Sequence, residues 1–157
     1  MGVGFMVMGL YESFLYSFLA TIAFAVLFQA PKRTLIISGV IGAIGWVVFV
    51  YLRQYLEYNS FHANFLATVA LALISEFSAR MFKQPATVFL IPGIIPLVPG
   101  LGMYQGMKQI IEKSYDNGVT TLLTAGTDSA AIALGIMVIA SIFRVIKMSA
   151  TKNFWTK

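Results

Sequence analysis

Hydrophobic residues fall in long, nearly unbroken blocks along this chain, separated by short polar links. They do not follow the 3.6- or 2-residue periods of half-buried elements. A membrane-spanning helix needs about 20 mostly apolar residues. The first such block runs from about Leu10 to Ala30, with Glu12 near its start, and stops at Pro31-Lys32-Arg33. The second, 34–52, carries no charge and places Gly39, Gly42 and Gly45 three residues apart, near Ser38 and Ala43. Small residues so spaced let helices approach closely in lipid, which predicts a packing face without chemistry. A polar link with Arg53 and Glu57 leads to a third block, 61–81, closed by Glu76, Arg80 and Lys83.

The fourth block, 87–107, is different. Its core, Phe89 to Gly106, is apolar enough for a bilayer yet contains Pro92, Pro96 and Pro99 together with Gly93, Gly100, Gly102 and Gly106. An interior proline costs a helix roughly 3 kcal/mol through a lost hydrogen bond and a clash. The block is therefore expected to be a broken helix. Backbone freed at membrane depth must be buried in protein or line a cavity, and broken helices point to the binding sites of transporters. A kinked packing helix is the plainer alternative. The segment KQIIEKSYDNG then reads as a short interfacial piece ending in an Asn117-Gly118 turn. A fifth block, 119–143, contains Asp128 and precedes a basic tail with Arg144, Lys147, Lys152 and Lys157.

The expected fold is thus an all-α membrane protein of five transmembrane helices, with residues 1–157 as a single transmembrane domain. Composition agrees: 59% of residues are hydrophobic, 11% are charged, and mean hydropathy is +0.82, against about 25% charged in soluble domains. The net charge of +5 does not point to nucleic acid, because the basic residues pair at the ends of apolar blocks, as topology signals do. Five crossings would place Lys32, Arg33, Arg80, Lys83, Arg144 and the tail lysines on one side, and Arg53, Lys108 and Lys113 on the other. The positive-inside rule puts the first set in the cytoplasm, with the N-terminus outside. No positive residue precedes the first apolar block, so it reads as a retained helix rather than a cleaved signal. The start MGVGFM lacks the hydroxyl residue of a myristoylation signal. The sequence carries no internal repeat.

Few groups are available for chemistry. Asp128 stands among Thr124, Thr127 and Ser129 in the middle of the fifth block. A carboxylate there costs about 3 kcal/mol on insertion scales, so it faces the protein interior or water. It reads as a proton-relay group or a coupling-ion ligand, or else as an interhelical hydrogen-bonding residue. Glu76 and Arg80, four apart, share a helix face and read as a gate or as an anchoring ion pair. Glu12 and the lone His62, beside Asn64, read as interfacial. Trp46, Trp155 and most tyrosines fall near block ends, as aromatic belts do. In the broken block, Gly93 and Gly100 allow a small ligand to approach the backbone. A half-helix starting there would aim its positive dipole end at a carboxylate. Pro92, Gly93, Pro96, Pro99 and Gly100 are accordingly the expected substrate-binding residues. There is no cysteine, no metal-ligand spacing, no nucleophile–base pair and no phosphate-binding glycine loop. Neither an enzyme, a metal nor a cofactor is expected.

FQAPKR at Phe28–Arg33, GAIGW at Gly42–Trp46 and PATVFLIPGIIPLVPGLGMYQG at Pro85–Gly106 resemble the threonine/serine exporter family, in its small-subunit, YjjB-like type. The resemblance spans nearly the whole chain, and the IPGIIPLVPG run is its most specific part. It implies a bacterial inner-membrane exporter that works with a larger, YjjP-like membrane subunit carrying five further helices. It also implies small carboxylated substrates: threonine and serine in one branch, succinate and related dicarboxylates in another. Proton motive force is the expected drive, since no nucleotide-binding motif is present. A homo-oligomeric channel or carrier needing no partner, and a non-transporting scaffold subunit, are the rival readings.

Overall fold

The computed structural model describes the backbone from residue 9 to residue 152 and side chains through residue 146. The first eight residues, Trp155 and the tail side chains Lys147, Lys152 and Lys157 lie outside the described residues. Within them the chain is helical throughout: α1 (Leu10–Leu27), α2 (Leu35–Gln54), α3 (Ser60–Phe82), α4 (Thr87–Ile94), a 3₁₀ turn (Ile95–Leu97), α5 (Gly100–Ile111) and α6 (Tyr115–Lys152). Helices α1, α2, α3 and α6 are each long and apolar enough to cross a membrane. The fourth block is a bent pair, Thr87–Leu97 and Gly100–Ile111, with 44° between its halves. This is an all-α membrane protein.

The break follows from its prolines. Pro92 lies inside α4 and Pro96 inside the 3₁₀ turn. Val98, pushed off helical geometry by the proline after it, is extended at φ −61° and ψ 129°. Pro99 then caps α5.

The ends of α1, α3 and α5 close in a uniform way that carries no glycine signal. Gln29, Lys83 and Lys113, like Glu57 in the α2–α3 link, take positive φ, between 51° and 62°. Just after the first three, the amides of Ala30, Gln84 and Ser114 donate to the carbonyls of Ala25, Ala79 and Gln109 at 2.8–3.0 Å. These are the six-to-one closures that usually place glycine at the left-handed position.

Packing is by small residues, as the spacing of 39, 42 and 45 predicts. A Cβ on Gly39 would meet Ile22 Cγ1 at 2.7 Å, one on Gly42 would run into Thr21, and one on Gly45 would meet Leu71 Cδ1 at 2.6 Å. The face that α1 buries is correspondingly small: Ser13, Ser17, Thr21 and Ala25. Its large residues, among them Tyr11, Tyr16, Leu19 and Leu27, point outward. The apolar core joins Ile41, Ala67, Leu71, Phe89, Leu97 and Ile132 from α2, α3, α4, the 3₁₀ turn and α6.

Two expectations are corrected. The piece 108–118 is not a separate interfacial element, because α5 continues to Ile111 and the turn falls at 112–114. Asn117 and Gly118 lie inside α6. Gly118 is a contact glycine there: a Cβ would meet Ile110 Cγ1 at 2.6 Å and Gly106 O at 3.0 Å. The fifth block is likewise only the middle of a 38-residue helix, about 57 Å long at 1.5 Å per residue.

Contacts fix the helix directions. Ser60 meets Asp128, Gly135 abuts Thr68, and Arg80 lies over Phe143, so α3 and α6 run parallel. Gly102 abuts Ala125, Gly106 abuts Leu122 and Gly118 abuts Ile110, so α5 returns antiparallel along the first half of α6. The bent pair thus continues in one general direction instead of doubling back.

Candidate functional site

The parallel pairing of α3 and α6 brings the first turn of α3 to Asp128. Ser60 Oγ donates to Asp128 Oδ2 at 2.8 Å. Asp128 is 8% exposed, and its other oxygen, Oδ1, has no hydrogen-bond partner in the protein. One turn along α3, Asn64 is 2% exposed, and its Oδ1 is also without a partner. Both residues line a cavity of about 500 Å³ together with Trp46 and Phe49 of α2, Pro96, Pro99, Leu101 and Gly102 of the broken segment, and Thr124 of α6. The break is what opens this wall, because a continuous helix through residues 95–101 would offer side chains and no free amides.

The chemistry on offer is specific. Two buried acceptors, one of them a carboxylate, are unpaired on residues that line the same cavity as Trp46 and Phe49, whose ring centroids lie 5.2 Å apart. A buried acceptor without a donor costs about 1–3 kcal/mol, more if charged, and an isolated buried carboxylate is costlier still. A ligand that donates hydrogen bonds and carries positive charge would relieve that cost. The aromatic faces would reinforce it. Pro99, Leu101 and Gly102, at the start of α5, also line the cavity, and the opening amides of a helix suit a carboxylate.

The expected site residues divide. Pro96, Pro99 and Asp128 share this cavity. Pro92 lines another cavity, of about 420 Å³, with Phe28, Pro31, Thr87 and Ile91 at the junction of α1 and α4. Gly93 packs on Leu71, whose Cδ1 would lie 3.4 Å from an added Cβ. Gly100 has open space beside it, and its amide donates to Val98 O at 2.7 Å. Asp128 is level with the first turn of α3 rather than with its middle, which makes it an end-of-helix carboxylate relative to the bundle. Thr120, Thr124 and Thr127 turn their hydroxyls onto backbone carbonyls three or four residues earlier.

Glu76 and Arg80 lie at the other end of α3, where both line a cavity of about 730 Å³. They do not form the ion pair. The guanidinium of Arg80 sits 4.7 Å from the centre of the Phe143 ring. The ion pair found within 4.0 Å among the described residues is Lys108–Glu112, on α5. Sequence reasoning did not identify Asn64, Trp46, Phe49 or Ser60 as site residues. The pair Ser60/Asn64, one helical turn apart at the head of an apolar block, was the available signal.

A family model described as "Threonine/Serine exporter, ThrE" matches residues 13–142. A threonine/serine exporter of Corynebacterium glutamicum is 30% identical over 115 residues, which cover 73% of this chain and 23% of that protein. The chain therefore matches about a quarter of the length of that curated relative. No solved structure matches.

Proposed function

The chain belongs to the threonine/serine exporter family, and from that premise we propose that it is a subunit of an exporter of small carboxylated metabolites in a bacterial inner membrane. Its expected partner is a larger YjjP-like membrane subunit. The observation that carries the reading is the pair of buried, unpaired acceptors, Asp128 Oδ1 and Asn64 Oδ1, beside the break in the fourth segment. An α-amino acid would place its ammonium on these two groups and its carboxylate toward the opening amides of α5. A dicarboxylate would meet like charge at Asp128. The geometry therefore favours the threonine- and serine-type substrates over succinate. Asp128 would exchange the ammonium for a coupling proton or cation, driven by proton motive force. Within this proposal the fourth, bent segment is one full crossing, the N-terminus is outside and the C-terminus is cytoplasmic.

The test is efflux from cells preloaded with labelled threonine or labelled succinate. Its arms are this chain alone, the larger subunit alone, and both together. Efflux of threonine only with both subunits is expected. Efflux from this chain alone would remove the partner, and efflux of succinate but not threonine would remove the role given to Asp128 and Asn64.

A further inference from the structure

A second cluster of ionisable side chains lies at the far end of the same α3–α6 seam. There Glu76 and Arg80 of α3, Gln84 and Pro85 of the α3–α4 link, and Phe143 and Arg144 of α6 surround about 730 Å³. Glu76 and Arg80 are spaced to pair with each other, yet neither they nor Arg144 takes part in an ion pair within 4.0 Å among the described residues. Arg80 is instead held against the Phe143 ring, a contact that leaves its guanidinium edge free to donate. The cavity thus gathers two guanidinium forks and one carboxylate, a net positive charge with donors in excess. The Asp128 cavity is its opposite, gathering acceptors in excess. Between the two along the seam, Ala67, Leu71, Ala131 and Ile132 are buried, and the α6 backbone at Gly135 closes on Thr68 and the Phe65 carbonyl.

We propose that the Arg80 cavity is a second binding site, which takes an anionic oxygen group between the guanidinium groups of Arg80 and Arg144. A planar fork on each side suits a carboxylate or phosphate oxygen pair, and charge-assisted bonds of this kind are the strong ones. The shared chemistry has two sources, the carboxylate of a metabolite and the phosphate of an anionic lipid headgroup. The site goes beyond the exporter reading and does not depend on it.

The test uses the full chain in nanodiscs of phosphatidylcholine. One arm measures binding of labelled threonine and succinate by equilibrium dialysis. The other measures retention of added phosphatidylglycerol by native mass spectrometry. Arg144→Gln is expected to weaken binding about tenfold in at least one arm, the loss of one charge-assisted contact. Arg80→Gln should act likewise, and Glu76→Gln should tighten succinate or phosphatidylglycerol by removing like charge. Arg53→Gln, at the opposite end of the bundle, should change neither arm. A loss confined to the metabolite arm identifies a substrate vestibule, and one confined to the lipid arm identifies a headgroup site. If wild-type protein binds no metabolite yet retains phosphatidylglycerol through Arg144, the site stands as a headgroup site, and efflux with both subunits decides the exporter reading separately. Wild-type behaviour of Arg144→Gln and of the double arginine variant in both arms overturns the site, as does a wild-type protein that binds neither probe.

Discussion

Ser60 and Asp128 are 68 residues apart in the chain, and their side chains meet at 2.8 Å. That single bond ties the head of α3 to α6 and leaves the other carboxylate oxygen buried without a partner. Asp128→Asn keeps the bond and removes the charge. It is expected to lower threonine efflux by about tenfold or more, the loss of a contact to a charged group, at unchanged membrane abundance. Efflux at the wild-type rate would make Asp128 a structural residue.

Ser60→Ala removes the bond and keeps the charge. Interhelical side-chain bonds in membranes average about 0.6 kcal/mol, so the expected loss of stability is small and readable as a slight drop in thermal midpoint in detergent. A fall of several kcal/mol would mean that Ser60 holds more than Asp128.

Pro96→Ala and Gly93→Leu should both impair export while leaving insertion intact, for different reasons. Pro96 lines the Asp128 cavity, whereas Leu at 93 would press on Leu71 and overpack the core by about 1–3 kcal/mol. The check is efflux at matched protein levels, and wild-type rates in both variants would detach the broken segment from transport.

The glycines of α6 are expected to respond in opposite directions. A Cβ at 135 would lie 3.0 Å from Thr68 Cβ and 3.1 Å from Phe65 O, while one at 126 meets nothing within 4 Å. Gly135→Ala should destabilise by about 1 kcal/mol or more. Gly126→Ala should stabilise by roughly 0.5–1 kcal/mol, because alanine loses less backbone freedom in a helix. Thermal unfolding of the two variants side by side decides it.

Much of this was legible in the sequence. The apolar blocks located the long helices, although α6 runs well past the fifth block at its C-terminal end, the glycines at 39, 42 and 45 foretold a packing face, and the three prolines foretold the bend. The helix ends were less legible, because Gln29, Glu57, Lys83 and Lys113 sit where glycine is the usual signal. Asn117-Gly118 read as a turn, since nothing local distinguishes a turn glycine from one that admits Ile110 of a neighbouring helix. The cavity escaped for a related reason. Which residues of α2 and α3 face Asp128 depends on α3 and α6 running parallel, a long-range relation that no local pattern encodes. The spacing of Glu76 and Arg80 permitted a pair, and the ring of Phe143, 63 positions on from Arg80, competes for the guanidinium.

Glu57 in the α2–α3 link, at φ 51°, offers a test of what left-handed backbone costs a residue other than glycine. Left-handed backbone costs an ordinary residue roughly 1 kcal/mol, so Glu57→Gly should raise the thermal midpoint. A lowered midpoint would mean that the glutamate side chain has a role of its own.

Because the chain has no cysteine, single cysteines introduced at Gln84 and at Glu112 report topology without a background. The proposed orientation expects a membrane-impermeant maleimide to reach position 112 from outside intact cells and position 84 only after permeabilisation. Labelling of both from one side would reduce the bent segment to a re-entrant hairpin.

The close approach at Gly135 has a mechanical consequence. Helix α6 packs mainly on α3 and α5, and at Gly135 it meets Thr68 and the Phe65 carbonyl of α3 with no side chain of its own between them. A helix pivoting at that point would carry Asp128 on one arm of a lever and Arg144 on the other. Such a tilt would widen one cavity as it narrowed the other, coupling two chambers that share no lining residue.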